Sequence, residues 1–170
     1  IISTNKSDYF NNLAGIGFDG FVDKNISKLK KYGVLAYLFG TITSFLHYKN
    51  TLLTIKFKNK KIITESLLTL VGICAYSGGG MRLTKNVKTT DGVFDISIAQ
   101  SFHFLDVILN IIKFYNGKIV DHKKVETYKT ENIEIIPEDP NTFIQADGEL
   151  IGVGGFKASI ITKAICFIIP

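Results

Sequence analysis

The chain has 170 residues, of which 46% are hydrophobic and 21% charged, so it is neither disordered nor of low complexity and can build a core. Its formal net charge is +5, supplied by lysine except for one arginine, Arg82. Solvated lysine ammonium groups suit an anionic membrane or a phosphate better than the readout of bases, so we expect no nucleic-acid partner. A basic surface that is simply solvated is the alternative.

The cysteines and the beginning of the chain indicate where the protein works. Cys74 and Cys166 each lie in an apolar run, which predicts small buried side chains in a reduced, cytoplasmic protein. The first residues lack the regions of a signal peptide and do not include an initiating methionine, so we expect a fragment or a processed chain. No apolar run reaches the ~18–20 residues of a membrane span, so any membrane contact should be peripheral.

The first elements are a strand, a glycine-rich segment and a helix. Asp8–Ala14 reads as a strand, and Gly15–Val22 then matches the pattern G-x-G-x-x-G-x-V. A dinucleotide loop needs an acidic residue ~20 positions later, and a protein kinase needs further motifs that the sequence lacks, so we assign no nucleotide site here. Asp23–Lys31 follows as a basic linker or short helix, and the apolar spacing of Val34–His47 predicts a helix.

The middle of the chain predicts strands that lead to two glycine-containing turns. Thr51–Lys58 alternates between apolar and polar residues and turns through a basic tip into Ile62–Ser66, which predicts a hairpin. Leu67–Tyr76 is apolar enough for a buried strand, and it leads into the triple glycine of Ser77–Met81. Asp91–Gln100 predicts a strand that leaves an Asp-Gly turn.

A second helix is predicted over His103–Tyr115 and ends before Gly117. Its apolar residues recur at helical spacing, and we expect this stripe to pack in the core. The stripe comprises Phe104, Val107, Ile108, Ile111, Ile112 and Tyr115.

The rest of the chain predicts four more strands, at Lys123–Thr130, Asn132–Ile136, Asn141–Ala146 and Phe156–Ile169. There are too many strands for one open sheet. The sequence therefore predicts a mainly β protein, an antiparallel β-sandwich with two helical insertions.

Two Asp-Gly turns, at Asp91 and Asp147, carry the candidate chemistry. We expect them to meet at one rim of a sheet along a shared groove, although an Asp before a Gly is equally often a turn residue alone. Asp147 and Glu149 flank a glycine at the tip of an apolar strand, and such a pair suits one carboxylate to accept a proton from a hydroxyl. Oxygen ligands from Asp91 and adjacent carbonyls would suit Mg²⁺.

Four motifs and the chain end stand in a fixed order, namely Asn12–Asp19, Gly78–Met81, Thr90–Asp95, Gln145–Glu149 and the terminal Cys166–Pro170. Together they resemble the C-terminal portion of the diacylglycerol kinase family. More narrowly, they are similar to bacterial soluble lipid kinases, which are related to sphingosine kinases and share a superfold with NAD kinases. The resemblance covers nearly the whole chain.

The resemblance implies one half of a two-domain enzyme. Such kinases bind ATP in an N-terminal domain through a Gly-Gly-Asp-Gly-Thr motif, which these 170 residues do not contain. Residues 1–158 would be the β-sandwich domain, and residues 159–170 a strand that returns toward the missing nucleotide domain. We expect the chain alone to be inactive, because phosphoryl transfer depends on holding and neutralising the donor.

The resemblance also implies roles for particular residues and partners. Glu149 falls at the proton acceptor, with Asp147 beside it in an acid pair. Asp91 and the carbonyls of Lys88 and Val93 fall at a structural Mg²⁺. The cleft would be lined by Asp19, Gly78, Gly79 and Gly80. Implied partners are a lipid substrate and the inner membrane face, with a homodimer possible. The chain departs from the family where Gly20 follows Asp19 and where Lys85-Asn86-Val87 replaces a proline-containing stretch.

Two other functions stay open at this point. One is a non-catalytic β-sandwich that binds lipid or a membrane surface, and the other is an NAD kinase-type domain. The apolar bias of Leu35–Phe45 and Phe102–Tyr115 fits a lipid acceptor better than NAD.

Overall fold

The computed structural model describes residues 2–4, 7–26, 34–77 and 80–166, and within them the chain is mainly β. The strands are β1 Ile2–Ser3, β2 Ser7–Asp8, β3 Leu13–Gly17, β4 Thr51–Phe57, β5 Lys60–Gly72, β6 Tyr76–Ser77, β7 Met81–Arg82, β8 Phe94–Gln100, β9 Val125–Thr130, β10 Asn132–Pro137, β11 Phe143–Ala146, β12 Glu149–Val153 and β13 Phe156–Ser159. The helices are α1 Phe18–Ile26, α2 Val34–His47, α3 Phe104–Leu109 and α4 Ile111–Asn116, and a 3₁₀ turn covers Lys118–Asp121.

The long strand β5 joins the two layers of the sandwich. Its first half pairs with β4, from Phe57 opposite Lys60 to Thr51 opposite Ser66. Its second half pairs with β3 on one side and β8 on the other, and the β8 register shifts between Ser66 and Leu68. One layer therefore has the order β12-β11-β3-β5-β8-β9, and the other β5-β4-β10-β13-β1-β2. All of these pairings are antiparallel, which confirms the predicted fold class.

The main core lies between the two layers and is built from alternate residues of the strands. In β4, Leu53, Ile55 and Phe57 are buried while Leu52 and Lys56 are exposed, as expected for a strand with one face inside. Fully burying one such aliphatic side chain contributes about 1.5–3 kcal/mol. A smaller second cluster lies on the other side of the first layer, under the helices. It contains Leu67, Phe102, Ile119 and Val120.

Several predicted elements are confirmed and others need new boundaries. Helix α2 spans the predicted Val34–His47, and β4 and β5 form the predicted hairpin. The predicted break at Ser66 is wrong, because β5 continues to Gly72 and changes layers through the register shift. The strand predicted at Asp8–Ala14 forms mainly later, as Leu13–Gly17. The chain then enters α1 directly, whose end at Ile26 leaves the rest of the predicted linker outside the described residues.

The helix predicted over His103–Tyr115 is split, and its predicted burial is wrong. Asn110, with φ −110° and ψ 9°, separates α3 from α4, and neither helix contains a buried residue. Leu109 is 80% exposed and Ile112 75%. Val107 and Phe114 do pack against the second cluster, but that cluster is too small to cover the rest of the stripe.

The C-terminal part also departs from the prediction. An additional strand, β12, completes a hairpin with β11, and β13 ends at Ser159. A strand through Ile169 is therefore wrong for residues 160–166, which have no regular secondary structure, and its last residues lie outside the described chain. Cys166 is exposed and Cys74 is partly buried, so the expectation that both are buried is wrong.

Candidate functional site

The glycine-rich segment forms a close junction between β3 and α1. A Cβ on Gly15 would lie 1.9 Å from Oδ2 of Asp19, and one on Gly20 would lie 2.8 Å from the backbone of Phe143. Gly17 has φ +112°, which residues with a side chain rarely adopt. The close contacts of Gly15 and Gly20 and the positive φ of Gly17 thus explain the three glycines without a nucleotide.

That junction places Asp19 against the neighbouring strand. Gln145 donates from Nε2 to Oδ2 of Asp19 at 2.7 Å, and the Gly20 amide donates to Oδ1 at 2.9 Å. The Gln145 side-chain carbonyl in turn accepts from the amide of Gly148 at 2.9 Å. Gln145 is only 3% exposed. Its two hydrogen bonds connect Asp19 to the second Asp-Gly turn. Sequence reasoning gave Gln145 no role, although it begins the Gln145–Glu149 motif.

Asp147 occupies the tip of the β11–β12 hairpin. Its φ is +52° and that of Gly148 is +83°, so both central residues of this two-residue turn have positive φ and the predicted Asp-Gly turn is confirmed. The Asp147 carboxylate accepts backbone hydrogen bonds from Asn11, Asn12 and Leu13 at 2.8, 2.9 and 3.1 Å. Both of its oxygens are thereby committed to holding the entry to β3.

Glu149 differs from Asp147 in that its carboxylate is not committed. It is the first residue of β12, opposite Ala146, and it is exposed. Within the described part of the chain, no side-chain hydrogen bond or ion pair engages it. Of the two predicted acids, Glu149 is therefore the one that can receive a proton without dismantling the turn.

Two open grooves meet at Asp147. The smaller has a volume of about 300 Å³, and its lining comprises Asn12, Leu13, Tyr76, Ser77, Gly80, Gln145, Asp147 and Gly148. The larger, about 670 Å³, runs from Asp147 past Thr89 and Thr90 and is bounded mainly by apolar side chains such as Phe94 and Ile161. Gly80 thus lies at the site, while Gly78 and Gly79 fall outside the described residues.

The sheet register brings both Asp-Gly turns to the same end of one layer. The amide of Asp147 donates to the carbonyl of Leu13 at 2.9 Å, and Leu13 is aligned with Gly72. Gly72 is aligned with Asp95, and Asp95 with Lys129. At about 4.8 Å between strands, the tip of β11 and the start of β8 are roughly 14 Å apart.

Asp91, the predicted carboxylate ligand of Mg²⁺, is engaged with a lysine. Nζ of Lys129 lies 2.9 Å from Oδ2 of Asp91 and 3.2 Å from Oδ1 of Asp95. The hydrogen bond from Lys129 lowers the pKa of Asp91, and burial raises the pKa of Asp95. The Lys88 carbonyl faces the Asp91 amide at 3.5 Å, and the Val93 amide donates to the Asp91 carboxylate. Mg²⁺ binds oxygen ligands at 2.0–2.1 Å and would have to share the Asp91 carboxylate with the Lys129 ammonium, so this arrangement does not fit it.

The comparison with known families decides the assignment. Residues 12–169 match the family described as the YegS C-terminal NAD kinase beta sandwich-like domain. The chain belongs to this family. The resemblance drawn from the motifs is therefore confirmed at the level of the domain.

Relatives of this YegS-type domain are named as kinases. The chain is 22% identical over 143 residues to a diacylglycerol kinase of Mycobacterium tuberculosis, covering 83% of this chain and 46% of that protein. It is 26% identical over 158 residues to the provisionally named lipid kinase YtlR of Bacillus subtilis, covering 88% and 51%. A crystal structure of a Bacillus anthracis protein, provisionally called a diacylglycerol kinase, aligns with TM-score 0.62 and 25% identity over 90% of this chain and 50% of that one. The chain thus spans about half the length of these relatives.

No helix in the described part of this YegS-type domain combines the length and the apolar character needed to span a membrane.

Proposed function

We propose that this chain is the acceptor-side half of an ATP-dependent lipid kinase that phosphorylates a diacylglycerol- or sphingosine-like hydroxyl. The observation that carries the proposal is the exposed, uncommitted carboxylate of Glu149 beside a turn that Asp147 and Gln145 hold from both sides. The match to a kinase-family domain supports the reaction class. The apolar larger groove next to the turn fits a lipid better than a soluble acceptor.

In this proposal Glu149 is the proton acceptor and Asp147 positions it. The lipid hydroxyl gives its proton to the Glu149 carboxylate as its oxygen attacks the γ-phosphorus of ATP, and ADP leaves. General base catalysis of this kind contributes about 10²–10⁴-fold to a rate. Asp147 cannot share the proton readily, because its oxygens accept three backbone amides.

ATP would be held mainly by a domain outside these residues. Phosphoryl transfer depends on positioning the donor and neutralising its charge, and the Gly-Gly-Asp-Gly-Thr segment of such kinases is not among the 170 residues. Any metal that accompanies the nucleotide would belong with that domain. We therefore expect the isolated chain to transfer no phosphate.

The surface of α3 and α4 supports contact with an anionic membrane. We define the α3–α4 surface as Leu105, Ile108, Leu109, Ile111, Ile112 and Tyr115, each at least 40% exposed. Lys113 and Lys118 lie within and just after this surface, and the chain as a whole is basic. Apolar side chains flanked by lysines are typical of elements that rest in the headgroup region of an anionic bilayer. We propose a cytoplasmic protein that docks at the inner membrane face; a homodimer stays a prediction.

The same surface favours the alternative of a lipid- or membrane-binding module without catalysis. A transfer assay separates the two. Full-length protein, labelled ATP and a panel of diacylglycerol, sphingosine and NAD should yield a labelled lipid. A labelled NAD would instead support the NAD kinase-type alternative, and vesicle binding without any transfer would support the binding module.

A further inference from the structure

The Lys129 ammonium contacts oxygen atoms of three different residues. Its Nζ lies 2.9 Å from a carboxylate oxygen of Asp91, 3.2 Å from one of Asp95 and 3.5 Å from the carbonyl of Asn86. Asn86 and Asp91 belong to the loop of residues 83–93 between β7 and β8, whereas Asp95 is in β8. Lys129 is in β9, directly opposite Asp95. The ammonium therefore connects a loop to two strands.

This connection is one of those that hold the loop in place. Its residues form no regular secondary structure, and at its start the Thr84 hydroxyl donates to the carbonyl of Cys74 at 2.8 Å. Beyond Thr84, Lys129 connects the described loop to the sheet through Asn86 and Asp91, and Lys85 pairs with Asp121 of the 3₁₀ turn. Two consecutive loop residues, Thr89 and Thr90, line the larger groove together with Asp147.

The two carboxylates favour a cation at this place. The Asp95 side chain is only 4% exposed, and a buried carboxylate is stable in its charged form only with a partner. Asp91 brings a second negative charge within reach of the same point. Other ion pairs in the described residues are different: Lys56, for example, contacts a single carboxylate, Glu134, on the outside of the sheet.

We propose that Lys129 is a built-in cation that replaces the divalent ion which the family resemblance implies at Asp91. Its ammonium occupies the point where the loop carbonyl and both carboxylates converge, so the loop is fixed against the sheet without Mg²⁺. A dication would have to displace this ammonium, strip its own tightly held water and then tolerate the lysine nearby. The departure of Lys85-Asn86-Val87 from the family pattern lies in the same loop and supplies the carbonyl that Lys129 contacts.

The test compares Mg²⁺ binding and thermal unfolding in the full-length protein without nucleotide. In the unaltered protein we expect no heat of Mg²⁺ binding that depends on Asp91, and no change of Tm between millimolar Mg²⁺ and EDTA. Lys129→Met should lower Tm by several degrees, and Mg²⁺ should recover part of this loss because Asp91, Asp95 and the Asn86 carbonyl are released to a hard cation. Lys56→Met is the matched control and should gain no response to Mg²⁺.

A Mg²⁺-dependent heat or rise in Tm in the unaltered protein that Asp91→Asn abolishes would overturn the proposal. This comparison does not need the Lys129 variant to fold. A Lys129→Met protein with unchanged Tm and no response to Mg²⁺ would equally contradict it. Neither readout depends on kinase activity, so failure here is separate from failure of the proposed function.

Discussion

Gly15 shows how a single missing side chain shapes the site. It pairs with Gln145 across the β3–β11 ladder, and the Asp19 carboxylate occupies the space above it. Asp19 can therefore reach the Gln145 amide at 2.7 Å. The glycine pattern that resembles a nucleotide loop instead lets a helix pack on a sheet.

Gly15→Ala should destabilise the protein and break the Asp19–Gln145 hydrogen bond. The added Cβ would lie 1.9 Å from Asp19, and overpacking of this kind destabilises by about 1–3 kcal/mol. The measurement is urea unfolding. Gly152→Ala is the control, because the nearest atom to its Cβ is 4.0 Å away. Equal stability of both variants would show that Asp19 does not need this space.

Substitution of Asp147 should lower the free energy of unfolding more than substitution of Glu149. Asp147→Asn weakens three backbone hydrogen bonds to a carboxylate, so we expect a loss on the order of 1–2 kcal/mol in the free energy of unfolding. Glu149→Gln changes an exposed side chain and should stay within about 0.5 kcal/mol of the parent. Denaturant unfolding of both variants measures the difference. A comparable loss in the Glu149 variant would mean that Glu149 is also a structural residue.

At the level of residues, the sequence predicted the short-range chemistry and missed the long-range partners. The Asp147-Gly148 turn follows from two neighbouring residues with known backbone preferences. Gln145 and Lys129 act on residues far away in the chain, so their roles depend on strand register. Sequence patterns in one chain do not specify that register.

At the scale of elements, α3 and α4 expose apolar side chains that a partner would cover. Replacing Leu109 and Ile112 together by Gln should leave folding nearly unchanged, since these side chains are 80% and 75% exposed. Binding to vesicles of phosphatidylglycerol and phosphatidylcholine should fall by roughly tenfold or more per residue, because each loses its burial in the bilayer. Vesicle co-sedimentation measures this.

Ile63→Gln is the matched control for that experiment. Ile63 is 57% exposed and lies on β5, away from the helices, so vesicle binding should be unchanged. If the double variant binds vesicles normally, the α3–α4 surface does not dock on a membrane. A large loss of stability in the full-length double variant with normal vesicle binding would instead indicate that another part of the protein covers this surface.

The end of the 3₁₀ turn carries a pH-dependent contact. His122 accepts a hydrogen bond at Nδ1 from the amide of Lys124 at 3.2 Å, which needs the neutral ring. Burial and then the charge of Lys113 lower the pKa of His122 below its ordinary 6.5. The unfolded chain therefore binds more protons below this pH, so the stability contributed by neutral His122 is present above about pH 6.5 and lost as pH falls.

His122→Asn should remove this slope, because Asn offers an acceptor that does not titrate. Thermal unfolding between pH 7 and pH 5 measures it. His47→Asn, at the exposed end of α2, should keep the slope of the parent. A parent protein whose Tm is flat over this range would contradict the assignment.

Element prediction succeeded where one periodicity dominated. Helix α2 and the β4–β5 hairpin have continuous helical or alternating patterns. Strand β12 was missed because it is a short edge strand with no buried residue, so it carries no inward apolar pattern. The stripe on α3 and α4 has helical spacing but faces outward, and spacing alone does not show what an apolar face meets.

For the whole molecule, the sandwich explains why two motifs that are distant in the sequence lie at the same end of one layer. The antiparallel order β11-β3-β5-β8 puts the end of β11 and the start of β8 at the same end of the layer. The number of strands predicted the sandwich. The crossing of β5 between layers was not predictable from pattern, because its first half is mostly polar and exposed and its second half is apolar and buried. That change of pattern predicted a break at Ser66 and not one continuous strand.

In the proposed function, the molecule supplies one half of the reacting site. It spans about half the length of its relatives. In the proposed function, the acceptor groove and Glu149 lie on this half, and the donor is held elsewhere. Because the proposed base and the donor-binding site lie on different domains, removing the base should leave donor binding unchanged.

The most direct measurement is the turnover number and the ATP affinity of the full-length protein with Glu149→Gln, alongside Glu65→Gln as an exposed control on β5. We predict that turnover on the lipid substrate falls by about 10²–10⁴-fold while ATP affinity and Tm stay close to those of the parent. The control should match the parent in all three. Retained turnover, or an equal loss of turnover and ATP affinity, would contradict the role of Glu149 as the proton acceptor.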